Sequence, residues 1–211
     1  MEYHKIDTLF ERDKETFIVN PNVLKSPVLG TISEWDVTEK IDGTNIRVIF
    51  GEDGTVRYGG RTDNASLPAD LLQLLIAKFQ SPKMQEVFWI DGAPTSAILY
   101  GEGYGAGIQK GGAYRPDKSF ILFDVLVGGK WWLNRDAVDD VAAKLGIDVV
   151  PYLGRMTLPL IVELVRAGFN SRIGTAVAEG VVARPIEPLF DKQLRRIIIK
   201  LKTKDFQAGK R

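Results

Sequence analysis

The stretch WDVTEKIDGTNIRVIFGEDGTVRYG, residues 35–59, decides the fold class. Its β-branched and aromatic runs predict strands over residues 35–41, 45–50 and 55–59, broken at Gly43 and at the turn Glu52-Asp53-Gly54. Three strands at hairpin spacing predict antiparallel pairing, because parallel neighbours need a long crossover. Working outward, further strands are predicted over residues 96–101, 119–127, 178–183 and 195–202. Three helices fit between them. The first opens at Pro68 and carries Leu71, Leu72, Leu75 and Phe79 on one face. The second starts at Asn134 as N-cap, runs through Val138, Val141 and Leu145, and stops at Gly146. The third begins at Thr157, has Pro159 in its first turn, and ends near Gly168. Scattered helices among hairpin-spaced strands give an α+β fold, mainly antiparallel β-sheets flanked by helices, in one domain over residues 1–211.

Composition narrows the chemistry. The 211 residues include 28 Lys+Arg against 27 Asp+Glu, a net charge of +1, with 45% hydrophobic residues, enough for a buried core. The absence of Cys excludes disulfides, thiolate metal sites, iron–sulfur clusters and thiol catalysis, and a single His excludes a multi-His metal centre. His4 is expected at the surface near the terminus. No run approaches a membrane helix, and Met1-Glu2-Tyr3-His4-Lys5 is no signal peptide, so a cytoplasmic protein with no membrane partner is expected. Net charge +1 does not itself point to nucleic acid, but charge is unevenly placed. Residues 192–204 are basic, and strand alternation puts Arg196, Ile198, Lys200, Lys202 and Lys204 on one face, with Ile197, Ile199 and Leu201 on the other. A charged strand that keeps a hydrophobic stretch soluble would look the same.

Glycine-rich segments offer a false lead. Gly101-Glu102-Gly103-Tyr104-Gly105-Ala106-Gly107, with Gly111-Gly112 just downstream, fits neither GxGxxG before a helix nor GxxxxGK[ST]. A flexible surface loop is predicted from Gly105 to Gly112, with Glu102 at the end of an apolar strand. The informative stretch is Glu39-Lys40-Ile41-Asp42-Gly43-Thr44-Asn45. A lysine, one spacer and Asp-Gly arises by chance in roughly one chain of this length in twenty. The order of the downstream residues raises the signal: Arg61, Glu102 between glycines, Phe123-Asp124 in an apolar strand, Glu179-Gly180, then Lys200-Leu201-Lys202.

In these residues, from about Trp35 to Lys204, the sequence resembles the covalent nucleotidyltransferase superfamily of ligases and capping enzymes. It is most similar to ATP-dependent RNA ligases of the phage nick-sealing type. Lys40-Ile41-Asp42-Gly43 is similar to the signature lysine motif, Glu102 and Glu179 to the two acidic motifs, Phe123 to the base-stacking aromatic, and Lys200 and Lys202 to the closing lysine pair. Thr44-Asn45 is the RNA-ligase variant, where DNA ligases and capping enzymes more often carry arginine in place of Asn45. The resemblance implies a nucleotidyltransferase (ATP-grasp-like) ligase domain. It implies ATP with Mg²⁺ or Mn²⁺ as cofactors, and RNA ends or a nicked duplex containing RNA as partners of a monomeric protein in RNA repair. It implies Lys40, Lys200 and Lys202 as catalytic, with nucleotide contacts from Glu39, Lys40, Ile41, Asn45, Arg61, Glu102, Phe123, Glu179, Lys200 and Lys202. Asn45 would contact ribose, Arg61 phosphate, and Glu102 and Glu179 would offer oxygens to the metal.

The chemistry is coherent. Lysine at pH 7 is roughly 0.04% free amine, and half-neutralising it takes about 4.6 kcal/mol. Neighbouring cations such as Lys200, Lys202 or Mg²⁺ lower that barrier and also stabilise charge on an attacked α-phosphate. Ligases of this kind carry a further domain after the last lysine motif, whereas this sequence stops at Lys210-Arg211, so an adenylating domain without a C-terminal appendage is expected. A DNA nick ligase, a GTP-using capping guanylyltransferase and a non-catalytic RNA-end-binding module are the alternatives.

Overall fold

The computed structural model describes residues 1–16 and 18–206. The chain begins with β1 (Asp7–Thr8), β2 (Phe10–Arg12), β3 (Val19–Leu24), β4 (Trp35–Lys40), β5 (Thr44–Phe50) and β6 (Val56–Gly59). Helices α1 (Ala69–Lys78) and α2 (Ser81–Val87) come next, then β7 (Trp89–Ile90), β8 (Ala93–Pro94), β9 (Ala97–Tyr104), β10 (Ser119–Val127) and β11 (Trp131–Trp132). The last elements are α3 (Arg135–Leu145), β12 (Asp148–Val149), β13 (Tyr152–Met156), α4 (Leu158–Ala167), β14 (Gly180–Pro185) and β15 (Ile199–Lys202). This is the α+β class with mostly antiparallel pairing.

Contacts divide the chain into two compact units. Unit 1 takes residues 1–3 and 42–150, and unit 2 takes residues 4–41 and those from Pro151 onward. In unit 1 the strands are ordered β11-β10-β9-β5-β6, with β12 parallel to β10. One face of that sheet buries Ile46, Val48, Phe50, Leu99, Phe120 and Leu122 against Leu71, Leu75 and Phe79 of the α1 segment and Val138 and Leu145 of α3. Its other face carries Asn45, Arg47, Tyr100 and Glu102, because alternate residues of a strand point oppositely.

In unit 2 the order is β1-β15-β14-β4-β13, antiparallel except for β1 on β15. Trp35 and Val37 of β4, Val181 and Ala183 of β14, and Ile199 and Leu201 of β15 pack with Ile161 and Val165 of α4. The lysines of β4 and β15 are therefore turned to the opposite face. Of the segment 17–27 expected to pack on the core, Val19 and Leu24 do so, while Phe17 lies outside the described residues.

Sequence periodicity locates three helices but not all their ends. Asn134 caps α3 by accepting a hydrogen bond from the Ala137 amide at 3.0 Å, and Gly146 ends the helix with φ 65°. Asn134→Ala is expected to destabilise the fold by about 1 kcal/mol and lower Tm by about 2–4 °C in a thermal melt. Thr157 precedes α4 as expected but makes no side-chain cap. α2 is not legible in the sequence, being seven residues long with Pro82 in its first turn.

Three strand boundaries differ from expectation. β9 continues to Tyr104, so Glu102 lies inside a strand and not at its end. β14 begins at Gly180 and leaves Glu179 just outside it. β15 starts only at Ile199, because Asp191 accepts hydrogen bonds from the Gln193 and Arg195 amides and curls that segment into a turn. The predicted flexible loop is instead tightly packed: a Cβ on Gly105 would lie 2.0 Å from the Asp117 carbonyl, and one on Gly111 2.3 Å from that of Gly105. His4 is half-buried, not a surface residue, because it continues from the buried Tyr3 into the packed N-terminal segment.

Candidate active site

The sequence-predicted residues fall into two groups, one in each unit. In unit 2 the geometry starts from three strands abreast. Gly180 of β14 is the register partner of both Lys40 on β4 and Lys202 on β15. Two lysines flanking one central strand have backbones about 10 Å apart. Glu179 closes that gap: its Oε2 lies 2.6 Å from Lys40 Nζ and its Oε1 2.5 Å from Lys202 Nζ.

The backbone fixes this carboxylate. The Thr203 amide donates to the Glu179 carbonyl at 2.9 Å, and the Thr203 hydroxyl donates to that of Ala178 at 3.0 Å. No side chain fits at the central position: a Cβ on Gly180 would lie 2.0 Å from the Leu201 carbonyl. Burial raises the Glu179 pKa, but the charge of Lys40 and the hydrogen bonds from Lys202 and Lys40 outweigh it and hold the carboxyl below its usual range. Lys200 is the register partner of Val182, on the same face as Lys202 and two residues before it.

Glu39 is placed differently from Lys40. It shares the inward face of β4 with Trp35 and Val37 and is 1% exposed. Its carboxylate accepts hydrogen bonds from the Ser171 hydroxyl at 2.5 Å and the Arg172 amide at 2.9 Å. The side chain thus anchors the segment after α4 and faces away from Lys40. Strand alternation from Trp35 shows this in the sequence, although its partners Ser171 and Arg172 carry no motif. Ile41, next in the chain, is 3% exposed and accepts from Lys40 Nζ at 3.5 Å through its carbonyl.

In unit 1 the second group is set on β5, β9 and β10. Asn45 pairs across the ladder with Glu102, and Glu102 with Ile121, so all three share one face. Asn45 Oδ1 is buried and has no hydrogen-bond donor among the described residues. An orphan acceptor of this kind suits a hydroxyl donated by a ligand. Gly43 is required by close approach: a Cβ there would lie 2.3 Å from the Gly103 carbonyl and 2.7 Å from Glu102 Cγ. The Asp42 amide in the same turn donates to the Tyr114 hydroxyl at 3.3 Å.

Phe123 is the one half-buried residue of β10, at a register shift between Leu122 and Asp124. A bulge there turns its ring toward the Asn45 face, away from the alternation. Tyr3 meets that ring edge-on at 5.2 Å and donates its hydroxyl to the fully buried Asp124 at 2.7 Å. Neither the bulge nor the role of Tyr3 has a sequence signal.

Arg61 is exposed on the bend after β6. Its loop is held by Arg47, a residue that no sequence motif singles out. Arg47 is 1% exposed, donates from Nε to the Gly60 carbonyl at 2.7 Å, and pairs through Nη2 with Asp63 at 2.8 Å. Gly59 makes room, since a Cβ on it would lie 3.0 Å from that guanidinium. Arg47→Met is expected to lower stability by about 2–3 kcal/mol in urea unfolding, because the buried carbonyl loses its donor. Arg61→Ala should stay within about 0.5 kcal/mol of the parent protein.

Among the described residues no group of three or more His, Asp or Glu side chains could hold a metal. A divalent ion at Glu102 or Glu179 would therefore take its remaining ligands from a nucleotide's phosphates and from water. No helix of the described residues is long and apolar enough to cross a membrane.

Comparison with known proteins agrees with this layout. The family profile described as RNA ligase matches residues 33–202. Among solved structures, a Naegleria gruberi RNA ligase mutant with ATP and Mn is 17% identical, with a TM-score of 0.69, covering 100% of this chain and 58% of that one. A Naegleria gruberi RNA ligase with pyrophosphate is 19% identical with a TM-score of 0.66, covering 99% and 64% respectively. An apo mutant of Naegleria gruberi RNA ligase R4a is also 19% identical, with a TM-score of 0.66 and coverages of 86% and 53%. The chain thus spans less than two thirds of the length of these structural relatives.

Proposed function

The chain belongs to the RNA ligase family, and we propose on that premise that it is an ATP-dependent RNA ligase working through a lysyl-AMP intermediate. The observation that carries this reading is the Lys40–Glu179–Lys202 chain of contacts, in which the motif lysine meets an acidic partner and a second cation. Lys40 Nζ attacks the α-phosphate of ATP, the new N–P bond forms as the P–O bond to pyrophosphate breaks, and the amine proton passes to solvent. The neutral amine is the nucleophile, so the ion pair with Glu179 must open first. Lys200 and Lys202 offset the charge that grows on the phosphate.

Asn45 and Glu102 are assigned to the ribose, Arg61 to phosphate and Phe123 to the adenine face. Glu39 acts through its hold on residues 171 and 172. Magnesium or manganese would arrive with ATP, taking Glu102 or Glu179 as a hard oxygen ligand and the phosphates for the rest. When bound, it neutralises phosphate charge. AMP then passes to an RNA 5′-phosphate, and a 3′-hydroxyl displaces it to form the phosphodiester. Residues 1–211 would serve as the adenylating domain of this reaction.

The test is incubation with Mg²⁺ and ATP labelled at the α-phosphate, beside GTP. Covalent labelling from ATP is expected. Labelling from GTP alone would assign a capping guanylyltransferase, and no labelling would end the proposal. Nicks in RNA are expected to be sealed faster than nicks in all-DNA duplex.

A further inference from the structure

Unit 2 contains a cavity of about 540 Å³ that none of the motif residues explains. It lies between the N-terminal segment at His4, Lys5 and Asp7, the Lys25 to Leu29 segment, and the turn from Phe190 to Arg196. Its walls carry Lys5, Lys25, Lys192, Arg195 and Arg196 against two carboxylates, Asp7 and Asp191, in a chain whose net charge is only +1. One of the two is already engaged: Asp191 accepts from Arg195 Nε at 2.8 Å and from two amides. Lys5 and Lys192 make no ion pair among the described residues.

Apolar surface completes the site. Phe190 is 51% exposed at the rim, and Val28 is 53% exposed beside it. The turn that presents Phe190 is ordered: Phe190 bridges Arg196, the Asp191 amide donates to Arg195, and the Ile197 amide donates to Leu189. Exposed aromatic surface among uncompensated ammonium groups suits a nucleotide strand, whose bases stack while its phosphates meet the cations. Arg196 is four residues before Lys200, at most about 14 Å of chain. That is the length of about four phosphates along a duplex strand.

We propose that this cavity binds the backbone of the RNA substrate, with Lys5 and Lys192 at phosphates and one base or sugar against Phe190. The identity of the strand as RNA rests on the ligase reading; the charge and shape of the cavity do not. None of these three residues belongs to the nucleotide machinery, so lysyl-AMP formation should be unchanged when they are replaced.

The experiment measures binding of a labelled nicked RNA duplex to the full chain as a function of salt, with lysyl-AMP labelling in the same preparations. Lys5→Ala with Lys192→Ala is expected to lower affinity at least tenfold near physiological salt. It should also reduce the slope of log K against log salt by about 1.8, two released counterion equivalents. Phe190→Ala is expected to weaken binding about tenfold with the slope unchanged. Parent-like affinity and slope in all variants, with labelling intact, would overturn the cavity proposal and leave the ligase reading standing. Weakened RNA binding in a protein that ATP never labels would overturn the ligase reading and leave the cavity standing.

Discussion

Lys40→Ala takes up no label from α-phosphate-labelled ATP, a loss of at least about 10⁴-fold, because no other group replaces a removed nucleophile. Lys40→Arg is expected to be equally inactive. A guanidinium keeps the charge that pairs with Glu179 but stays protonated in any protein and cannot attack phosphorus. The two variants together separate charge from nucleophilicity, and both should remain folded. Lys202 still neutralises Glu179 when Lys40 is gone, and the Lys40 side chain is 21% exposed, so no core contact is lost. Mass spectrometry of the parent protein after ATP treatment should show one added AMP on the peptide containing Lys40. AMP on a different residue, or label on Lys40→Ala, would refute the assignment of the nucleophile.

Glu179→Gln is expected to reduce lysyl-AMP formation by about 10²–10³-fold, the scale of losing one preorganised electrostatic group. It should also lower stability at pH 7 by about 1–3 kcal/mol, since two ammonium groups lose their shared counter-charge. That figure is set below that of a fully buried pair because the carboxylate is 15% exposed and the lysines 21% and 22%.

Its pH dependence has a definite sign. The folded-state pKa of Glu179 lies below the ordinary value of 4.5, so its contribution is present in full above that pH. As pH falls through the lowered folded value, the carboxylate protonates and the contribution disappears. The parent protein and Glu179→Gln should therefore differ in denaturant midpoint at pH 7 and converge toward pH 3. A stability gap that persists unchanged at pH 3 would show that the loss is packing and not charge.

The β-ladders that carry both groups are legible in the sequence because alternation and turn residues are local. The strand predicted over residues 119–127 has the same ends as β10, and Asn134 and Gly146 bound α3 as their residue types require. Where the sequence misleads, the cause is non-local. Alternation alone makes the 195–202 strand four residues too long, because the Asp191 turn competes with the ladder, and that competition is settled by hydrogen bonds rather than hydropathy. The glycines from 105 to 112 suggest freedom, whereas Gly105 and Gly111 are there because two backbones touch.

The candidate site divides in the same way. Lys40, Asn45, Glu102, Glu179 and Lys202 are readable as residue types in order, since the chemistry of a phosphate-activating lysine limits which side chains can serve. The antiparallel α+β class is set by strand spacing alone. Only the tertiary structure decided that Glu179 bridges two lysines, because Lys40, Gly180 and Lys202 become neighbours through ladder register although they lie far apart in the chain. It alone turned Glu39 onto Ser171 and the Arg172 amide, set Arg47 beneath the Arg61 loop, and gathered Lys5 and Lys192 around one cavity. The physical reason is range: propensity and alternation act over a few residues, whereas ion pairs and close backbone contacts depend on which distant strands are brought side by side.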